Sequence, residues 1–268
     1  MEMVILDKSN PVLDAIFARR SIRRYKNEPV SDGDLNLILE AARSAPSAAN
    51  LQNSSIIVVR DPAKVEKLYE LSGNQPWVKT CSALLVFVVD AYRHKRWCEL
   101  RDADFHHGNF FTIIWGMTDA IAAAQNAVIA AQGLGLGTVY IGGILGRMQE
   151  MIELLKLPRY TYPAIMLCLG VPAEKPAARD RIPLESMVHW DEFRDYTDDE
   201  MARAFAEREE KFAGTAKESD DARNLAQYLT RKRFTSEMLL KRARSAMQAL
   251  IAQGFWNEEH LSFREDKP

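Results

Sequence analysis

Four arginines fall within six positions near the start of this chain, Arg19, Arg20, Arg23 and Arg24, with Ser21 and Ile22 between them. Planar guanidinium forks match phosphate oxygens, and a serine hydroxyl adds a donor that is cheap to orient, so the chemistry this spacing offers is phosphate binding. The competing reading is a solvated helix end with surface ion pairs. A second feature is glycine-rich. Gly133, Gly135 and Gly137 superficially match a dinucleotide fingerprint, but that fingerprint needs strand, glycines and then helix, whereas here a helical pattern precedes and a strand pattern follows. A left-handed helix C-cap accounts for them better. Gly142 and Gly143 differ, because two glycines closing a strand let a flat ligand approach the backbone itself.

Nucleophile, base and metal patterns are missing. No H-E-x-x-H or G-x-S-x-G occurs, and Cys81, Cys98 and Cys168 form no C-x-x-C pair and have no histidine at ligand spacing. No metal site, disulfide or structural zinc is therefore expected. The five histidines, His94, His106 and His107 among them, lie in polar sequence and read as exposed or hydrogen-bonded. Phosphate anchors without acid–base machinery point to a borrowed cofactor.

These residues must be positioned by a folded core, and 268 residues with 47% hydrophobic content supply one. A net charge of −2, from 35 basic and 37 acidic residues, gives no global field for nucleic acid or an anionic membrane. No apolar run reaches the roughly 18 residues of a membrane span, residues 1–10 carry no apolar leader core, and the default expectation is a reducing cytoplasm.

Val12, Leu13, Ile16 and Phe17 predict a first helix over 11–20 that ends in the basic cluster. Ser31, three residues before Asp34, predicts an N-cap for a helix turning Leu35, Leu37, Ile38, Ala41 and Ala42 inward. Residues 54–59, 83–89 and 164–170 read as strands, with a shorter one before Gly142. The alanine-rich stretch 111–132 predicts a buried helix apolar nearly all round, suited to the core or to a second subunit. Residues 148–157 predict another helix. Beyond about Asp195 the composition becomes charged and helix-forming, with apolar residues returning at Leu225, Tyr228, Met247 and Leu250. The fold class is α+β, a core over 11–195 followed by a helical extension over 196–268.

Taken in order, Arg19-Arg20-Ser21-Ile22-Arg23, Ala45-Pro46-Ser47-Ala48-Ala49-Asn50-Leu51-Gln52 and Gly135-Leu136-Gly137-Thr138-Val139-Tyr140-Ile141-Gly142-Gly143 resemble the FMN-dependent nitroreductase family. Leu71 to Gln75, Ala124 to Ala127, Arg179 to Pro183 and Tyr228 to Arg231 resemble its NADPH-dependent, oxygen-insensitive nitroreductase and flavin reductase subgroup. The resemblance runs from about Asp14 to Trp256.

It implies a nitroreductase-like fold, a central mixed, mainly antiparallel sheet flanked by helices, with the extension packed on a homodimer. By it, Arg19, Arg20, Ser21 and Arg23 hold the FMN phosphate and polar edge, Arg23 supplying the cation near flavin N1, and Arg179 and Arg181 close from the C-terminal side. Gln75 meets the pyrimidine edge, Tyr140, Ile141, Gly142 and Gly143 lie beside the ring, and Ser47, Ala48, Ala49 and Asn50 come from the other subunit. Arg231, Lys232 and Arg233 are placed to meet the extra phosphate of NADPH in preference to NADH. The implied cycle is ping-pong, with a small electron acceptor such as a nitroaromatic, quinone or free flavin. The alternative on the same fold is a flavin-binding or sensing protein with little turnover; a nucleic-acid or phosphoprotein adaptor lacks the interleaved aromatics such a surface needs.

Overall fold

The Asn10 side chain accepts the amide protons of Val12 and Leu13 and starts helix α1, Pro11–Ala18, in the computed structural model, which describes residues 10–256. The stretch 1–9 and the tip of the expected extension, 257–268, lie outside the described residues. α1 stops before the arginine cluster, so the expectation of a basic helix end is corrected: Arg19 caps the helix, and the chain then runs extended. The reason is tertiary. Ser21 makes a parallel bridge to Thr138 and Tyr25 an antiparallel one to Pro172, which takes this segment into the edge of the sheet.

Helix α2, Asp32–Arg43, is capped as its sequence predicts, Ser31 Oγ accepting the Asp34 amide at 3.0 Å. Leu35, Ile38 and Ala42 are buried, whereas Leu37 is exposed, because the inward stripe is spaced three and four apart and excludes it. Strand β1 (Ser54–Val59) leads to α3 (Pro62–Leu71), with Asp61 as N-cap and Pro62 in the first turn, and then to the single turn α4 (Trp77–Thr80). β2 (Ala83–Asp90) is followed by α5 (Tyr92–Leu100), α6 (Phe110–Gly133), β3 (Gly137–Ile141), α7 (Met148–Leu154) and β4 (Thr161–Gly170).

The sheet order is β1-β2-β4-β3, with all three ladders antiparallel. With the parallel bridge at Ser21 it is mixed and mainly antiparallel. β2 alternates between two covered faces, which is why it is apolar throughout: Leu85 and Phe87 pack toward α2 and α6, while Leu84, Val86 and Val88 pack toward α3 and α7. The β2–β4 register slips at Phe87/Val88, where Ala164 is skipped beside Pro163, a residue with no amide proton to donate.

α6 packs closely because Ala120, Ala123, Ala124, Ala127 and Ala131 form its inward stripe. At 24 residues it is long and apolar enough to cross a bilayer, a length the sequence expectation missed, yet this stripe is core packing against α2 and the sheet. Its other side is not covered as expected: Phe111, Ile114 and Ile121 are exposed. Gly135, at φ 73°, takes the left-handed turn after α6, as its C-cap reading requires.

Two compact units result, one of residues up to Pro176 together with those from Arg242, the other of Ala177–Lys241. The second starts earlier than the change in composition near Asp195, because residues 177–195 are tied to its helix α8 (Asp198–Phe212): Arg208 Nε donates to Asp180 at 2.5 Å and Arg194 pairs with Glu200 at 3.0 Å. α9 (Leu225–Tyr228) runs into a wide turn over Leu229–Arg233, and α10 (Ser236–Ala252) follows. Ala249 and Leu250 of α10 are buried with Phe255 in the first unit, and Tyr162 donates its hydroxyl proton to Ala246 O at 3.3 Å.

Candidate functional site

The bridge at Ser21 fixes where the basic cluster points. The Ile22 amide donates to Thr138 O at 2.9 Å, and Glu174 Oε1 accepts both the Arg23 amide (2.6 Å) and the Arg24 amide (3.1 Å), which locks the backbone between the two guanidiniums. Along this stretch Ile22 is buried, Arg23 half-buried and Arg24 exposed. Arg20 is turned onto its own backbone, donating to Phe17 O at 2.7 Å and Arg19 O at 2.9 Å. Among the described residues, no carboxylate lies within ion-pair distance of Arg19, Arg20 or Arg23. Three half-buried guanidiniums without an anion are suited to receive one.

Arg23 lies over the indole of Trp77 with its guanidinium carbon 5.4 Å from the ring centroid. Trp77 opens α4, two residues after Gln75, whose Nε2 donates to Ser72 O at 2.8 Å. The same carbonyl meets Gly143: a methyl group there would stand 2.3 Å from Ser72 O and 3.2 Å from Gln75 Nε2. Gly142 has open space where its side chain would be. Gln75, Ser72 and Gly143 thus form one cluster and Arg23 with Trp77 another, and among the described residues the buried indole Nε1 of Trp77 has no partner. Ile141 points into the core, and Tyr140 donates to Gln125 Oε1 at 3.2 Å. Burial pushes the Tyr140 phenol up to about 12, against the opposing charge of Arg19.

Ser47, Ala48, Ala49 and Asn50 form a separate tight loop. Ala49, Asn50 and Gln52 have φ of 49°, 55° and 53°, and the Ala48 and Asn53 amides donate to the two carboxylate oxygens of Asp119 at 2.9 and 3.1 Å. No hydrogen bond among the described residues joins this loop to Arg19–Arg23 or to Gln75. Arg179 and Arg181 belong to the second unit and are exposed, Arg181 donating to Arg179 O and Asp180 O at 3.3 and 3.0 Å. There too, Lys232 pairs with Asp221 at 2.9 Å, Arg231 donates to Asp221 O at 3.1 Å, and Arg233 lies over Phe234.

Ser72, Trp77, Asp119 and Glu174 have positions here that the sequence reading did not assign. A lone carboxylate inside an alanine-rich helix was a signal for Asp119; the others had none. The histidine reading is corrected: His94 and His107 face each other with centroids 4.2 Å apart beside Trp97 and Phe105, and the buried Nδ1 of each has no hydrogen-bond partner among the described residues. Burial, helped by the neighbouring imidazoles, lowers the His107 pKa.

The residues present fit FMN in two respects. The guanidiniums match a phosphate, and the bare backbone at Gly142, beside the Gly143–Ser72 contact that no Cβ could share, matches the edge of a flat ring. The fold is α+β, with a half-buried arginine cluster and a bare glycine backbone beside the edge strand β3 of its sheet.

The nitroreductase family model matches residues 16–171, more than half of the chain. The chain is 36% identical over 223 residues to an FMN reductase [NAD(P)H] of Bacillus subtilis, covering 81% of this chain and 89% of that one. It is 39% identical over 194 residues to an oxygen-insensitive NADPH nitroreductase of Salmonella typhimurium, covering 72% and 79%. Among solved structures, NfrA2 of B. megaterium superposes with a TM-score of 0.83 at 35% identity, covering 93% of this chain and all of that one. This chain belongs to the nitroreductase family.

Proposed function

We propose that the protein is an FMN-dependent oxidoreductase that uses NADPH or NADH to reduce nitroaromatics, quinones or free flavin, one cleft serving reductant and acceptor in turn. The observation that carries this, in a member of this family, is the cluster of half-buried guanidiniums at Arg19, Arg20 and Arg23, with no carboxylate within ion-pair distance among the described residues. Bound FMN supplies hydride acceptance and two-electron transfer. Arg19, Arg20, Ser21 and Arg23 hold its phosphate and polar edge, with Arg179 and Arg181 as further cations. Arg23, held over Trp77, is the fixed positive charge near N1, where it favours the negative charge that reduction develops. Gln75 spends Nε2 on Ser72 O and offers Oε1 to the pyrimidine imide. The backbone at Gly142 leaves room for the ring, and Arg231, Lys232 and Arg233 receive the additional phosphate of NADPH.

The Ser47–Asn50 loop serves the flavin of a second copy. Exposed Val12, Ile16 and Phe17 of α1 and Phe111, Ile114 and Ile121 of α6 are the apolar surface for that homodimer, and the helical extension packs on it. The free thiols of Cys81, Cys98 and Cys168 support a cytoplasmic location.

Purified protein should be yellow and bleach within seconds on anaerobic mixing with NADPH. A yellow protein that does not bleach supports a binding or sensing role, and retained flavin after Arg20→Ala and Arg23→Ala removes the anchor assignment. Light scattering at twice the chain mass tests the dimer.

A further inference from the structure

We infer that Asp119 is a positioning residue, holding the Ser47–Asn50 segment in a conformation the segment would not adopt by itself, so that it can meet flavin; this role rests on the function proposed above. Asp119 sits midway along α6, only 4% exposed, with Ala120, Ala123 and Ala124 nearby in the helix. A carboxylate in such surroundings is costly unless hydrogen bonds satisfy it, and its two oxygens each accept one backbone amide. Those amides belong to Ala48 and Asn53, near the two ends of one loop and 71 and 66 residues away in sequence.

Between these ties the backbone is strained. Ala49, Asn50 and Gln52 all occupy the left-handed region, which disfavours residues with a Cβ. None of the three is a glycine, and all three are exposed, so side-chain burial does not impose the conformation. It is imposed from beneath. Gly116, one turn before Asp119 on the same face of α6, completes the seat: a methyl group there would stand 3.1 Å from Asn53 O and 2.3 Å from Val89 Cγ1, so the bare backbone keeps α6 close to both Asn53 and β2. Strain held in place by a buried anchor, at a segment with no packing role for its tip, is the signature of a preorganised contact.

The test uses Asp119→Ala and Asp119→Asn in the full-length protein, each measured with and without FMN. In both, amide exchange of a peptide covering residues 47–53 should quicken at least tenfold in the flavin-free protein, and the FMN dissociation constant should rise at least tenfold in Asp119→Ala. Asparagine keeps one acceptor oxygen and should fall between alanine and wild type. Adding Ala49→Gly to Asp119→Ala relieves strain, so it should recover melting temperature without recovering FMN affinity; recovery of both would make Asp119 merely structural and overturn the inference. So would an Asp119→Ala protein with fast loop exchange and FMN affinity within twofold of wild type. A wild-type protein that takes up no FMN overturns the proposed function and this role together, whereas a flavin-loaded wild type with an indifferent variant overturns this role alone.

Discussion

Gly143→Ala should destabilise the fold, and Gly142→Ala should not, although the two are adjacent. At Gly143 the new methyl carbon would lie 2.3 Å from Ser72 O and 2.9 Å from Ser72 C, about 1 Å inside ordinary contact, and what it meets is backbone. Ser72 cannot step aside freely: its amide is bonded to Leu68 O, its hydroxyl to Tyr69 O at 2.9 Å, and its carbonyl receives Gln75. Overpacking of this kind costs about 1–3 kcal/mol, and displacing the Gln75 bond adds about 1 kcal/mol. A total of roughly 2–4 kcal/mol is a large share of a typical domain stability, and in a chain of this size it lowers the melting temperature by about 5–15 °C.

At Gly142 nothing stands within 4 Å and φ is not in the left-handed region, so the added methyl should shift the melting temperature by no more than a degree or two. Thermal melts of flavin-free protein followed by far-UV circular dichroism separate the two, and flavin fluorescence titrations add the functional readout. On the function proposed above, Gly142→Ala should weaken FMN binding or slow hydride uptake at unchanged stability, because the added methyl would occupy space that is open. A Gly143→Ala protein melting within 2 °C of wild type would refute the steric reasoning.

Ser31→Ala removes the α2 cap and should cost about 1 kcal/mol in urea unfolding, with FMN affinity unchanged. Burial holds the His107 pKa below 6.5, so the unfolded chain takes up a proton that the folded one resists; stability should fall as pH drops below about 6.5, and His107→Phe should flatten that slope in melts between pH 7.5 and 5.5. Arg233→Ala should raise KM for NADPH over that for NADH by about tenfold, and Lys232→Ala by less, because Lys232 already pairs with Asp221; equal effects would remove Asp221 from the account.

Where a feature depended on neighbours in sequence, the residues announced it. Ser31 and Asp34 mark the start of α2, the apolar runs of β2 and β4 mark doubly covered strands, and Gly135 marks the end of α6. Where the cause was distant, they did not. α1 ends at Ala18 because Ser21 is drawn to Thr138, more than a hundred residues on, and nothing around Arg19 records that bridge. Helices α3 and α5 each fully bury a single residue, Leu68 and Cys98, and went unread, although Val65, Leu68 and Tyr69 do form an apolar stripe on α3.

The candidate site divides along the same line. The residues proposed to meet a ligand were chosen by type: guanidiniums for a phosphate, an amide side chain for a ring edge, bare glycine backbone for a flat surface. Residues that hold them were not, because each tie runs through main chain, most of them between segments far apart in sequence. Glu174 fixes Arg23 through two backbone amides 151 and 150 residues earlier, Ser72 O fixes Gln75 and excludes a side chain at Gly143, and Asp119 clamps the Ala48–Asn53 loop. A side chain whose partner is a peptide group needs no particular residue type opposite it, so such ties leave neither periodicity nor a matching motif. They do leave an energetic signature: a carboxylate that has lost exposure to water must be satisfied by something, and a lone acid in an alanine-rich stretch signals that its partner is backbone.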